Sequence, residues 1–288
     1  MMETVQQVLA PVEKKKQKKA RRKAKPGFRR TYKPKTIHIL SMGAGVQTTA
    51  MLLKYGKTGR YDYIVFADTR DEEPETYKYI SKYLKPYAIE CGIPWVTVGN
   101  LNGEGIYDYY MRVGALPKAM KRDCTRDFKI RPIHRFARSL GCTRFNPMVE
   151  DIGFSIDESD RMNESKAKSH LEVSYVVKSY PFIDDRISRN DCEQIIRDHG
   201  WPVPIKSGCD FCIFKNRSQF RKLAVERPER FAQIVALEKN DKKYPKFPLD
   251  GRAVLEDILK NATLDAQLVP DLTGPGTGPG CKTGPCMT

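Results

Sequence analysis

The sequence predicts an α/β fold: a mostly parallel sheet flanked by helices, joined to a helical, cysteine-bearing C-terminal part. Three observations predict it. Ile37-His38-Ile39-Leu40 is an apolar run of strand length. A turn of small residues, Ser41-Met42-Gly43-Ala44-Gly45, leads from it into helical spacing through Val46, Ala50, Met51, Leu52 and Leu53. A second apolar run, Tyr63-Ile64-Val65-Phe66-Ala67, ends in Asp68-Thr69. Strand, glycine turn, helix and strand in that order make a βαβ unit.

The turn has a chemical use. Glycines 43 and 45 let the backbone approach a ligand, and the helix that follows begins with unpaired N–H groups, which suit an anion. Ser41, Gln47, Thr48 and Thr49 add donors for phosphate or sulfate oxygens. The spacing is neither a P-loop nor a dinucleotide G-x-G-x-x-G. On these residues alone an ordinary tight turn is an equal reading.

Further along, Tyr77, Ile80, Tyr83, Leu84 and Tyr87 recur at helical spacing and predict a helix packed on the sheet. Ile93 to Val98 reads as a third strand. Gly99 to Gly114 is loop-rich, its Tyr107, Tyr109 and Tyr110 offering ring contacts to a base or lying on the surface. In Arg122-Asp123-Cys124-Thr125-Arg126-Asp127-Phe128-Lys129-Ile130-Arg131-Pro132, cations surround a cysteine and favour its thiolate, the form that attacks or binds metal. A helix start carrying a buried thiol is the plainer reading.

Val149 to Ile156 predicts another strand, entering Gly153-Phe154-Ser155-Ile156-Asp157-Glu158-Ser159-Asp160-Arg161. Ser174 to Phe182 predicts a fifth. Ile187 to His199 reads as a helix with Ser188 or Asn190 as its cap and Gly200 as its stop. Lys206-Ser207-Gly208-Cys209-Asp210-Phe211-Cys212 places two sulfurs on one tight loop, a chelating arrangement. With Cys124 and Cys192 these make four thiols, the number a cluster or a structural zinc requires. Gln219 to Lys239 and Ala253 to Leu259 read as helical, the latter peripheral. His38 and His134 read as packing or hydrogen-bonding residues, and Cys91 and Cys142 as buried thiols.

The chain's 288 residues carry a net charge of +16, of which residues 1–35 hold +11. Three parts follow: a disordered basic arm (1–35), a nucleotide-binding α/β domain (36–262) and a flexible Gly/Pro/Cys tail (263–288). Lys14 to Lys35 suits nucleic-acid phosphates, although substrate steering or simple solubility accounts for it as well. No stretch offers the roughly eighteen uninterrupted apolar residues of a membrane span. No signal-peptide order opens the sequence. The expected setting is cytoplasmic, without a membrane partner, and there eight cysteines point to metal or redox chemistry.

The first motif, Ser41 to Ala50, with Asp68-Thr69 and Pro74-Glu75-Thr76-Tyr77, resembles the phosphoadenosine phosphosulfate (PAPS) reductase family of the adenine nucleotide alpha-hydrolase-like, or PP-loop, superfamily. Arg70 stands where that family has glycine. Lys129-Ile130-Arg131-Pro132 is similar to its Lys-x-x-Pro element, and Gly153 to Ser159 to its Gly-x-Arg-x-x-Glu-Ser segment, with Ser155 in place of arginine. The resemblance implies a Rossmann-like sheet and an adenine nucleotide, ATP or PAPS, held by Ser41, Gly43, Gly45, Gln47, Thr48, Thr49, Asp68, Thr69, Glu75, Gly153, Glu158 and Arg161.

It also implies a 4Fe-4S cluster on Cys124, Cys192, Cys209 and Cys212, with zinc as the alternative and a reactive dithiol as a third reading. For the chemistry it implies Lys129 and a tail nucleophile, Cys281 or Cys286, together with a thiol reductant. The tail lacks the family's Glu-Cys-Gly context. The expected function is reduction of a sulfonucleotide to sulfite. The alternatives are an ATP-dependent sulfurtransferase or modification enzyme acting on tRNA or DNA, and a non-catalytic nucleic-acid-binding accessory protein.

Overall fold

The computed structural model describes residues 36–118, 121–160, 163, 173–241 and 255–257. The basic arm and the tail lie outside the described residues. Five strands, β1 (His38–Met42), β2 (Tyr63–Ala67), β3 (Trp95–Val98), β4 (Met148–Ile152) and β5 (Val176–Ser179), form one parallel sheet in the order β3-β2-β1-β4-β5. The fold class expected from the sequence is the one observed. Central β1 sets Leu40 against Ile64 on one side and Asp151 on the other. Its successive side chains serve opposite faces, which is why a βαβ strand reads as continuously apolar.

Leu40 and Met42 join the core under α1 (Val46–Tyr55), α2 (Pro74–Tyr79) and α3 (Lys85–Glu90), while Ile39 joins a second core with Val65, Ala67 and Ile133. The tyrosine stripe packs as predicted, Tyr79, Tyr83 and Tyr87 standing around Trp201. Two helical runs contain a π turn just ahead of a proline. Ile80–Leu84 precedes Pro86 in α3, and Arg126–Ile130 links α5 (Asp123–Thr125) to α6 (Arg131–Ser139), where Pro132 occupies the first turn. Proline has no N–H to give the carbonyl four residues back and crowds it, so the coil widens there. The second of these turns carries Lys129.

A third core, built on α4 (Ile106–Val113), gathers Phe128, Phe211, Phe220 and Phe231 into the helical C-terminal part. Beyond β5 come α7 (Pro181–Asp184) and α8 (Arg189–Asp198), whose Ser188 cap completes a capping box with Asp191. The expected helical stretch 219–239 is two helices, α9 (Arg217–Glu226) and α10 (Pro228–Asn240). Arg227 leaves helical geometry (φ −140, ψ 68) because the residue before a proline is pushed toward extended backbone. Of the helix expected at 253–259, residues 255–257 are described, and Leu255 is fully buried in the third core rather than peripheral. Tyr109 and Tyr110 are likewise packing residues, edge-on to Phe128 and Phe211. Among the described residues no helix is long and apolar enough to cross a membrane.

Candidate functional site

The strand order reverses at β1, whose neighbours are β2 and β4, and in open α/β sheets ligands bind outside the carboxyl ends of strands at such a point. The β1–α1 turn lies there. Gly45 caps α1 with extended backbone and no side-chain cap, so the first N–H groups of the helix are left to water or a ligand. Ala44 adopts a left-handed φ of 57, which shapes the turn. Thr48 donates its hydroxyl to the Gly45 carbonyl at 3.3 Å.

The loop after β4 closes the other wall. A Cβ on Gly153 would lie 2.6 Å from Thr48 Cγ2, so only glycine allows this contact. Gln47 Nε2 donates to Glu158 Oε2 at 3.0 Å, tying α1 to the turn beyond β4. Ser155 is fully buried, and its hydroxyl has no hydrogen-bond partner among the described residues. Ser41, Gly43, Gly45, Gln47, Thr48, Thr49, Gly153 and Glu158 therefore assemble around one place. Arg161 lies outside the described residues.

Asp68 and Thr69, at the end of β2, have internal partners. Asp68 accepts from Tyr77 Oη at 2.7 Å and from the Arg70 amide at 2.8 Å, while the Thr69 hydroxyl donates to Glu72 Oε1 at 3.2 Å. Glu75 is exposed in the first turn of α2. The segment after Thr69 is zipped to the Cys-x-x-Cys loop. Glu73 N–H donates to the Gly208 carbonyl at 3.2 Å and Asp210 N–H to the Asp71 carbonyl at 3.0 Å. Ser207 Oγ lies 3.3 Å from where a Gly45 Cβ would stand, so the cysteine loop reaches the start of α1.

Two clefts result. One, small, lies against β1, β2, β4 and α6 and is lined by Ser41, Gly43, Ile133, Glu150 and Lys129. The other, larger, is lined by Cys124, Cys209, Cys212, Arg122, Lys215 and Lys129. Lys129 lines both. Burial raises the thiols of Cys124 and Cys209 above their ordinary range; Arg122 and Lys129 oppose this at Cys124, and Lys129 does so at Cys209. The Thr69 hydroxyl also lies 3.5 Å from Cys209 Sγ.

The expected quartet of thiols is not assembled. Cys192 is fully buried in the core shared by α1 and α8, where burial pushes its thiol up to about 12. It belongs to a different core from the cysteine cleft, because its place on α8 faces α1. Cys124, Cys209 and Cys212 share the cleft, yet among the described residues no group of three or more His, Cys, Asp or Glu side chains is arranged to hold a metal ion. Neither a four-cysteine cluster nor a four-cysteine zinc fits these positions. Cys281 and Cys286 lie outside the described residues.

Several site residues were not singled out from the sequence. Asp210, between the two loop cysteines, accepts from Arg227 Nη1 at 2.8 Å and Arg230 Nε at 3.2 Å, and Arg230 also pairs with Asp71. Lys215 pairs with Glu73. These ion pairs fix the cysteine loop from both sides. The Cys-Asp-Phe-Cys spacing holds the Asp, but nothing local in the sequence announces partners at Arg227 and on α10. Glu150 lies within the predicted strand at β4, where the sequence alone gives it no role.

The chain matches no protein-family model and no curated protein. Among solved structures it is similar to a phosphoadenylyl-sulfate (PAPS) reductase from Candida auris, in a phosphate complex. The TM-score is 0.42 and the identity 17%, over 58% of this chain and 74% of that chain. At that level the likeness assigns no role to any residue here.

Proposed function

We propose that the protein binds an adenine nucleotide at the β1–α1 turn and carries out sulfur chemistry on it, reducing a sulfonucleotide to sulfite. The observation that carries this reading is the position of Lys129, which lines both the cleft at the nucleotide turn and the cleft holding three thiols. The helix start and Gly43–Gly45 take the phosphates. Lys129 balances negative charge on the sulfuryl oxygens as it develops. A thiolate of Cys281 or Cys286 attacks sulfur. The new S–S bond forms as the sulfur–oxygen bond breaks, and the nucleotide leaves with that electron pair. A second thiol then attacks the cysteine sulfur, releasing sulfite and leaving a disulfide, which an external thiol reductant returns to two thiols.

Labelled PAPS, the full chain and a thiol reductant test the proposal directly. Sulfite release that stops when both tail cysteines are replaced supports it. No sulfite, with nucleotide bound but intact, removes the reductase.

One observation favours a second reading. Ser155 is buried and neutral in the segment where the resembled family carries arginine, so this loop brings no cation to a sulfate. An ATP-dependent sulfurtransferase or modification enzyme acting on tRNA or DNA has no need of one. It predicts hydrolysis of ATP to AMP and pyrophosphate that depends on added nucleic acid, bound through residues 14–35.

A further inference from the structure

We propose that the outer face of α6 and the turn after it form a binding surface for single-stranded nucleic acid, with arginines on the phosphates and Phe145 stacking on a base. The inference rests on the second reading above, which places nucleic acid on residues 14–35, and adds to it a surface on the folded domain. From Phe128 to Val149 the chain carries Lys129, Arg131, Arg135, Arg138 and Arg144 and no Asp or Glu. Ile133 and Ala137 turn α6 toward the core with Ile39 and Val65. Arg131, Arg135 and Arg138, at i, i+4 and i+7, therefore share its opposite side. A rise of about 1.5 Å per residue spaces them about 6 and 4.5 Å apart along the axis. The helix starts beside Lys129, which lines both clefts, and Arg135 Nη2 donates to the Gly99 carbonyl just past β3 at 2.8 Å. The arginines thus form a track that leads away from the clefts toward the start of β4.

Aromatic rings join the cations at the far end of that track. Arg138 lies 4.9 Å from the centre of the Tyr175 ring and Arg144 4.5 Å from that of Phe145. Phe145 stands on a turn closed by backbone hydrogen bonds between Thr143 and Asn146, and it is 82% exposed, so ring surface remains for a planar partner. Asp127, at the head of the track, pairs with Arg126 and Arg131, whereas Arg138 and Arg144 contact rings rather than carboxylates. A guanidinium stacks on a ring and meets phosphate at the same time, which an ammonium does less well. Cations that follow a backbone beside a ring that takes a base are the chemistry of single-strand binding without sequence preference. A duplex keeps its bases stacked on one another and offers Phe145 no open face. An acidic protein would meet the charge and leave the ring without a use.

The test is fluorescence anisotropy of the full chain with short labelled RNA and DNA strands of one mixed sequence, and with their duplexes, over a range of salt. The variants are Phe145→Ala, Phe145→Trp and the pair Arg138→Gln with Arg144→Gln. Lys57→Gln with Lys222→Gln removes equal charge from exposed lysines on other elements, and thermal melts serve as folding controls. Single strands are expected to bind more tightly than duplexes, the RNA and DNA arms distinguishing the source of the phosphates. Phe145→Ala is expected to weaken binding about tenfold and Phe145→Trp to keep it. The arginine pair is expected to lower the slope of log affinity against log salt by about 1.4, and the lysine pair by less. Wild-type binding in Phe145→Ala, equal slopes in the two paired variants, or duplex bound as tightly as single strand overturns the proposal. So does displacement of the strands by polyglutamate of equal charge, which would make the face a site for acidic protein. The first three results leave nucleic acid on residues 14–35, whereas a wild type that binds no oligonucleotide removes the nucleic-acid reading itself.

Discussion

Lys129 Nζ stands 3.4 Å from Glu72 Oε1, and that carboxylate is buried to 4% exposure beside Thr69 and the cysteine loop. The pair joins the π turn ahead of α6 to the segment after β2, across the junction of the two clefts. Lys129→Met removes the cation and leaves Glu72 buried without its ammonium. Losing one partner of a buried pair costs about 3–5 kcal/mol, and losing a cation at the reacting group costs about 100-fold in turnover. Adding Glu72→Gln is expected to restore much of the melting temperature and none of the turnover. Recovery of both would reduce the pair to a structural staple.

Gly153→Ala tests the packing of the β4 loop on α1. The added methyl meets Thr48 Cγ2 at 2.6 Å and the Thr48 amide nitrogen at 3.2 Å, so the start of α1 must move. Overpacking of this kind costs about 1–3 kcal/mol, and displacement of the helix N-terminus is expected to weaken nucleotide binding about tenfold or more. Thr48→Ser removes the nearer contact and is expected to restore part of both in the double variant. Unchanged ATP affinity in a folded Gly153→Ala protein would place the nucleotide elsewhere.

Arg70 holds a φ of 59 after β2, a left-handed conformation that costs a side-chain-bearing residue about 1–2 kcal/mol. A glycine would take this backbone shape without that cost. Asp68 secures that shape by accepting from the Arg70 amide. Arg70→Gly relieves the strain but loosens the unfolded chain, and the expected net gain is about 0.5–1 kcal/mol in a denaturant melt. A loss of stability would mean that the arginine side chain supplies more than the turn costs it.

The parts of the fold legible in the sequence were those with a local signature. The continuous apolar runs of β1 and β2, the glycine turn, the Ser188 cap and the tyrosine stripe each follow from residues close together in the chain. The missed features depend on distant partners. Asp210 meets Arg227 and Arg230 only because α10 folds back on the cysteine loop. Glu150 enters a cleft only because β4 lies beside β1 rather than beside β3. A count of four thiols could not tell that Cys192 faces α1, since α8 is amphipathic in a way that suits either role. The break at Arg227 is local, marked by Pro228.

His134, buried in α6, gives the fold a pH signature. Desolvation, with a smaller contribution from Lys178, holds its imidazole down to about 4 against an ordinary 6.5. The native state prefers the neutral ring, so between those two values the unfolded chain binds more protons. The stabilisation is complete above about 6.5 and is lost as pH falls toward about 4, a change of about 3 kcal/mol if the burial is fully realised. Glu150 acts in the opposite sense, since its raised carboxyl costs stability as pH rises through its folded value. His134→Phe keeps a ring against Tyr175 and is expected to flatten the acid side of the wild-type profile. Equal acid sensitivity in both proteins, measured by urea melts from pH 4 to 7, would contradict this.

Cys192 and Cys209 are separated by where they are buried. Cys192 fills space between α1 and α8, whereas Cys209 lines the cleft that Lys129 also faces. Cys192→Ala leaves a small cavity and is expected to cost about 1–2 kcal/mol with nucleotide turnover unchanged. Cys209→Ser keeps nearly the same volume, so its melting temperature is expected to stay within a few degrees, on the order of a 1 kcal/mol change. As the second thiol of the proposed exchange, Cys209 is lost to sulfur chemistry in this variant, because no thiolate forms on a hydroxyl, and turnover is expected to fall at least about tenfold. The contrast separates a packing thiol from a working one. If Cys192→Ala lost turnover while melting normally, α8 would belong to the site after all, and the assignment of the thiols to two separate cores would have to be redrawn.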